Sequence, residues 1–329
     1  KERPAAFCQW RALIEPLMFY YAARQILSAI PTLFGVVTLV FVLVRIVPGD
    51  AAIAVLGDAA SEQALEAFRE RMGLNAPIWQ QYISFLGELV SGSLGTSMIT
   101  GEPVLASVAR VLPFTFELAF SGIMIGALIG IPLGVWAALK RDTWIDGLLR
   151  VVSLLGLSFP SFLMAILLIL WLAIGTGLFP VISNPDSGII GRLHSLALPA
   201  LSLGLIMVAY VMRTTRASMI EVLGNDYVRT AKAKGVPRNK IITRHAMKNA
   251  MIPIITIIGL YLGSLIGNAV LIEIVFNRPG LGKLIVLALN QRDYATLQGL
   301  MIVFAFLVVL INVLTDIAYG FFDPRVQLT

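Results

Sequence analysis

The sequence predicts an all-α polytopic membrane protein: six transmembrane helices, with a small helical extracytoplasmic segment between the first and second. Three observations predict it. The 329 residues are 58% hydrophobic and only 13% charged, where soluble domains run near half apolar and a quarter charged. Six segments are apolar over the roughly 17 to 25 residues needed to cross about 30 Å of hydrocarbon. They do not alternate polar with apolar, as barrel strands would, so helices that satisfy their own backbone groups are the default. Basic residues also concentrate on alternate connections. With six spans, residues 1–25, 139–150, 213–250 and 321–329 share one side and hold 17 of the 25 Lys and Arg. That side is the cytoplasmic one, which places both termini inside. The net charge of +6 is ordinary for such a protein and does not imply nucleic acid.

Residues 1–25 form the N-terminal cytoplasmic tail. Pro4, Arg11 and Pro16 exclude a simple secretory signal there. Cys8 is the single cysteine, so no internal disulfide or cysteine metal cluster forms. His194 and His245 fall in different loops, and no metal site is readable. The first span covers 26–47.

Residues 48–113 face the other side, with seven acids against Arg69, Arg71 and Arg110. Ser61 caps an expected helix over 62–72 that stops at Gly73. A second helix runs over about 78–90, with Trp79, Tyr82, Phe85, Leu86 and Leu89 at helical spacing. The segment reads as a small folded cap, either shielding helix ends or touching an extracytoplasmic partner.

A five-helix core over 114–320 follows, with spans at 114–138, 151–174, 196–212, 251–276 and 299–320. Gly122, Gly126, Gly130 and Gly134 line one face of the second span, and Gly259, Gly263 and Gly267 one face of the fifth. Glycines every four residues let another backbone approach closely. Pro160 interrupts the third span and predicts a kink. No ionisable residue lies near the middle of a span: Arg45, Glu117, Glu273 and Asp316 fall within about a turn of a boundary. A proton- or sodium-coupled carrier buries such groups at mid-depth, so the energy source lies outside this chain. No phosphate-binding Gly-x-x-x-x-Gly-Lys-Ser/Thr occurs. Gly280-Leu281-Gly282-Lys283 lacks the hydroxyl residue and reads as an external turn.

The basic loop 213–250 is the most informative stretch. From Ile220 it reads as an amphipathic helix with Ile220, Leu223, Tyr227 and Ala231 on one face and Asn225, Arg229 and Lys232 elsewhere. Gly235 ends it and Pro237 follows as a stop. A second helix starts near Arg238, with Ile242, Ala246 and Ala250 along one side. Small residues at the junction suit a docking knob that enters a groove on a partner. The alternative is a solvated basic loop on anionic lipid headgroups.

The stretch Tyr227-Val228-Arg229-Thr230-Ala231-Lys232-Ala233-Lys234-Gly235-Val236-Pro237 resembles the EAA loop of binding-protein-dependent ABC importer permeases. The motif's last Ala falls on Ala231 and its Gly on Gly235, while Arg229 and Thr230 replace its Glu and Ala. These departures resemble the dipeptide/oligopeptide/nickel branch, as does Arg244-His245-Ala246-Met247-Lys248-Asn249-Ala250. Arg45-Ile46-Val47-Pro48-Gly49-Asp50, Met72-Gly73-Leu74-Asn75-Ala76-Pro77, Gln81-Tyr82, Gly92-Ser93-Leu94-Gly95-Thr96-Ser97, Pro279-Gly280-Leu281-Gly282, Arg292-Asp293-Tyr294 and Asp323-Pro324-Arg325 are similar to that branch over most of the chain. Asn277-Arg278 stands where an aromatic often precedes the Pro-Gly, and Ala51-Ala52 lacks the frequent Pro after Gly-Asp.

The long external segment is similar to the first, B-type, permease subunit. The resemblance implies a type I ABC importer permease fold in a bacterial inner membrane. It implies a heterodimer with a second homologous permease, two cytoplasmic ATPase subunits and an extracytoplasmic solute-binding protein, all within membrane lipid. ATP and Mg would belong to the ATPase subunits. This chain would hold no cofactor and no catalytic residue, and would form half of a path for di- or oligopeptides. A secondary carrier or channel, or a non-transporting membrane scaffold, is the alternative.

Overall fold

The computed structural model describes residues 3–46, 51–57, 59–182 and 188–322, and side chains over 3–22, 51, 54 and 318–322 are not among those described. Cys8, Pro48-Gly49-Asp50 and Asp323-Pro324-Arg325 therefore lie outside the described side chains. Nearly all of the described chain is helical. In order come α1 (Arg3–Ile46), α2 (Ala51–Leu56), α3 (Glu62–Arg71), α4 (Ile78–Val90), α5 (Val104–Leu139), α6 (Trp144–Ser158), α7 (Ser161–Leu168) and α8 (Gly188–Gly224). They are followed by α9 (Asp226–Ala233), α10 (Arg238–Lys240), α11 (Met247–Val275), α12 (Leu281–Asn290) and α13 (Tyr294–Phe322). A π-helical turn extends α7 to Ile174, and another, Ile241–Ala246, joins α10 to α11. Among the described residues, five helices are long and apolar enough to cross a membrane, and α6 with α7 makes a sixth crossing if the bent pair counts as one.

Two elements depart from the sequence reading in an instructive way. The kink expected at Pro160 is a full break: α6 and the helix after it meet at 103°. Phe159 is extended, at φ −91° and ψ 127°, because the proline ring excludes the helical region for the residue before it. The fourth span, expected at 196–212, is instead the 37-residue α8. The helix runs past Met212 to Gly224, and on that extension the Arg216 guanidinium meets a carboxylate, described below. The segment 1–25, read as a tail, joins the first span in one 44-residue helix from Arg3. Gly280-Leu281-Gly282-Lys283, read as an external turn, is instead the start of α12. There the Leu281 N–H donates to Thr115 Oγ1 at 2.9 Å.

The chain divides into two compact units, one of residues 1–28, 116–278 and 310–329, the other of 29–115 and 279–309. In the first, α8 is central: 72% of its most apolar window is buried. Leu203, Met207 and Val211 on α8 pack with Leu118 on α5, Ala165 on α7, and Ile254, Ile272 and Phe276 on α11.

In the second unit, α4 lies on α1. Phe41 sits edge-on to Tyr82 at 4.9 Å and stacked on Phe85 at 5.5 Å, and the Thr38 and Tyr82 hydroxyls are 2.6 Å apart. Ser61 caps α3, its side chain accepting from the Ala64 N–H. Gly73, at φ 65°, closes α3 in the left-handed conformation expected of a C-terminal glycine. Asp293 ties the 97–98 turn to the start of α13. It accepts from Ser97 Oγ at 2.5 Å and from the Thr296 hydroxyl at 2.7 Å.

Candidate functional site

The amphipathic helix expected from Ile220 onward is two helices. Asn225 is extended, at φ −71° and ψ 150°, and α9 begins after it. Ile220 and Leu223 therefore belong to α8, while Tyr227 and Ala231 belong to α9. The break also changes which residue faces inward. Val228 is fully buried, Ala231 is half-buried and Tyr227 is 40% exposed. Tyr227 is held from outside the core, its hydroxyl accepting from Asn249 Nδ2 at 2.7 Å. Arg229, Thr230, Lys232, Ala233 and Lys234 are exposed.

The end of α9 is a compact lock. The Gly235 N–H donates to the Lys232 carbonyl and the Val236 N–H to the Ala231 carbonyl, at 3.0 and 3.2 Å. This 5→2 and 6→1 pair needs a left-handed residue between them. Gly235 supplies it at φ 74°. Val236 is half-buried, and Pro237 turns the chain into α10.

The elements that flank α9 share a small hydrophobic base. Met219 and Val222 from α8 meet Ala138 from α5, and Ala246 and Ala250 from the second arm of the loop. Ile242 packs against this cluster, so the stripe Ile242, Ala246 and Ala250 faces inward as its spacing predicts. The Ser218 hydroxyl donates to the Ala250 carbonyl at 3.2 Å. The knob packs against α8 and the 241–246 turn, the two elements that share this base with α5, and its outer surface is basic and free of bulky apolar groups other than Tyr227.

The glycine faces support this seat. An added Cβ at Gly122 would lie 3.2 Å from Leu203, one at Gly130 2.9 Å from the Val208 carbonyl, and one at Gly134 2.6 Å from the Met212 carbonyl. Gly126 faces Met207 just as closely. Gly130 and Gly134 thus let α5 meet α8 backbone, and Gly122 and Gly126 make room for α8 side chains. On α11, Gly259 meets Thr315 at 2.9 Å and Gly263 meets Asn312 at 2.8 Å, both on α13. Gly267 departs from this pattern: it has no heavy atom within 4 Å of an added Cβ and is exposed. A helix of 3.6 residues per turn drifts about 40° over four residues, and over two such steps the glycine row leaves the α13 contact.

Two charge clusters complete the first unit. Asp146, wholly buried, accepts from Arg216 Nε at 2.6 Å and Nη2 at 2.7 Å, with the Asp142 N–H at 3.1 Å. Glu117 accepts from Arg192 at 2.9 to 3.2 Å and from the fully buried Arg278 at 2.6 Å. Burial pushes the Arg278 guanidinium below its ordinary value, and the Glu117 carboxylate opposes the shift. Asn277 precedes it at φ 50°, a conformation that asparagine tolerates at a helix end. This turn aims Arg278 inward, onto Glu117. Among the described residues no three His, Cys, Asp or Glu side chains converge on a metal position.

Comparison with known proteins agrees with this architecture. Residues 130–328 match the family described as binding-protein-dependent transport system inner membrane component, and residues 18–119 match the N-terminal portion of such membrane components. The chain is 37% identical to the dipeptide transport system permease protein of Alkalihalophilus pseudofirmus, over 94% of this chain and all of that one. It is 36% identical to the di/tripeptide transport system permease protein of Pseudomonas aeruginosa, over 94% and 99%. It is also 36% identical to the glutathione transport system permease protein of Escherichia coli, again over 94% and 99%. A solved inward-facing structure of the MetNI methionine ABC transporter superposes with a TM-score of 0.53 at 15% identity, covering 68% of this chain and 99% of that one. With the type I permease fold and these relatives, the chain belongs to the family of inner membrane components of binding-protein-dependent transport systems.

Proposed function

We propose that this chain is one permease half of an ATP-driven importer of short peptides, coupled to its ATPase subunits through α9. The carrying observation is the seat of α9. A short basic helix, locked at its end by Gly235 and with Val228 fully buried, packs against α8 and the 241–246 turn, which share a hydrophobic base with α5. A push on α9 therefore reaches α8 and the 241–246 turn directly, and α5 through the base that Met219, Val222, Ala246 and Ala250 form with Ala138. The chain itself offers no phosphate-binding loop, so ATP and Mg belong to two partner ATPase subunits. A second homologous permease supplies the other half of the path. An extracytoplasmic binding protein delivers solute to the side carrying 48–113, and both termini are cytoplasmic, as the distribution of Lys and Arg supports.

Short peptides are the proposed cargo because the permeases named above serve dipeptide, di/tripeptide and glutathione systems. The test is uptake of radiolabelled di- and tripeptides into proteoliposomes holding this chain with its partner permease and ATPases. Uptake that needs both ATP and the binding protein is the expected result. Uptake driven by an ion gradient without ATP would overturn the proposal.

A further inference from the structure

We propose that the second unit carries a binding cleft for the two charged ends of a short peptide, with Arg45 receiving the carboxylate and Glu88 the ammonium group. The site presupposes the peptide importer proposed above and adds a place on this chain where the peptide is held. The cleft has a volume of about 900 Å³ between the end of α1, the face of α4 and the start of α13, within the range of small-molecule sites.

Arg45 is held in place but not neutralised. Its Nε donates to Gln81 Oε1, and its Nη1 to the Phe41 carbonyl and Gln298 Oε1, each at 3.2 Å. The guanidinium carbon lies 3.4 Å from the centre of the Phe41 ring. Gln81 is itself fixed, its Nε2 donating to the Leu74 and Ala76 carbonyls at 3.1 and 2.8 Å. Every partner of Arg45 among the described residues is neutral, and Nη2 donates to none of them. A guanidinium with a free edge is suited to a carboxylate.

A second group points the same way. Tyr294, one helical turn before Gln298 on α13, lines the cleft and is 9% exposed, and its hydroxyl has no hydrogen-bond partner among the described residues. A buried hydroxyl without a partner is costly, and a carboxylate beside Arg45 would accept its proton.

The other end of the cleft carries the opposite charge. Glu88 lines it and has no ion pair or side-chain hydrogen bond among the described residues, whereas Arg69, also in the wall, is engaged by Glu62 and Glu66. Gln81, which marks the position of Arg45, and Glu88 are seven residues apart on one face of α4. That is two turns, or about 10.5 Å. An extended tripeptide spans about 10 Å. The spacing of the charges thus selects a zwitterion of two to three residues, and Phe85 between them offers an apolar surface to the middle side chain.

The experiment measures equilibrium binding of labelled trialanine to the nucleotide-free complex in nanodiscs, by scintillation proximity, alongside its C-terminal amide and its N-acetyl form. Saturable binding is expected, weakened about tenfold by Arg45→Gln, the size of one charge-assisted hydrogen bond. Arg45→Gln should also abolish discrimination between trialanine and its amide, and Glu88→Gln should abolish discrimination against the N-acetyl form. Tyr294→Phe, which keeps the ring, should weaken trialanine about fivefold and leave the amide unchanged. No saturable binding to wild type, or an Arg45→Gln variant that still prefers the acid to the amide, would overturn the cleft. Uptake in the same preparation judges the importer separately: intact peptide uptake with unaltered discrimination in Arg45→Gln sinks the cleft and leaves the importer standing.

Discussion

Gly130 on α5 faces the carbonyl of Val208 on α8 so closely that a Cβ would lie 2.9 Å from the oxygen, and the Val211 side chain stands at the same distance. Backbone lies on one side of that contact, so it cannot relax by a rotamer change. Gly130→Leu should destabilise the protein by about 3 kcal/mol, the upper part of the usual overpacking range. It should lower the melting temperature measured in detergent by dye-monitored unfolding. Gly267→Ala, on the open face of α11, is the control and should melt as wild type does.

The Asp146–Arg216 pair is the second point of fragility. Removing one member of a buried pair leaves the other charge without compensation, at a cost of about 3 to 5 kcal/mol. Arg216 is partly exposed, with 21% of its side chain accessible, so Asp146→Asn belongs at the lower end. Asp146→Asn with Arg216→Gln should recover part of the loss, because no lone charge remains. A thermal-melt double-mutant cycle checks this, and additive losses would mean that the two residues do not support one another.

Local features were legible in the residues, and long-range ones were not. Ser61 with Gly73, the 78–90 helix and the left-handed Gly235 each follow from a few neighbouring positions, and the structure shows them there. The α5 glycine face was legible because a four-residue repeat reports its own partner surface. Glu117 could not be paired from sequence: its partners lie 75 and 161 residues away. Val228 was missed because the helix was assumed to run through Asn225, which rotates the apparent face. Gly101 looks like an unconstrained loop position, yet it sits at φ 70°, so a side chain there is strained despite open space around it.

The proposed orientation makes a direct prediction about reagent access. In a Cys8→Ser background, single cysteines at Ser61 and Asn225, both exposed, should respond oppositely to an impermeant thiol reagent added to intact cells. Ser61→Cys should be labelled from outside. Asn225→Cys should react only after the membrane is opened. Labelling of Asn225→Cys in intact cells would invert the topology.

The central claim is that α9 transmits the energy of ATP hydrolysis, and it is tested most directly by ATPase stimulation in the reconstituted complex. Ala231 is half-buried on α9, where an aspartate would place an unpaired charge in a closing interface. Gly235 has open space around it but a φ of 74°, so valine there breaks the lock by backbone strain alone. Lys240 is exposed, and Lys240→Ala is the control. With loaded binding protein added, Ala231→Asp and Gly235→Val should lose stimulated hydrolysis by about tenfold or more, an interfacial loss of about 1.4 kcal/mol. Lys240→Ala should respond as wild type does. Wild-type stimulation and wild-type uptake by Ala231→Asp, at equal expression, would contradict the account.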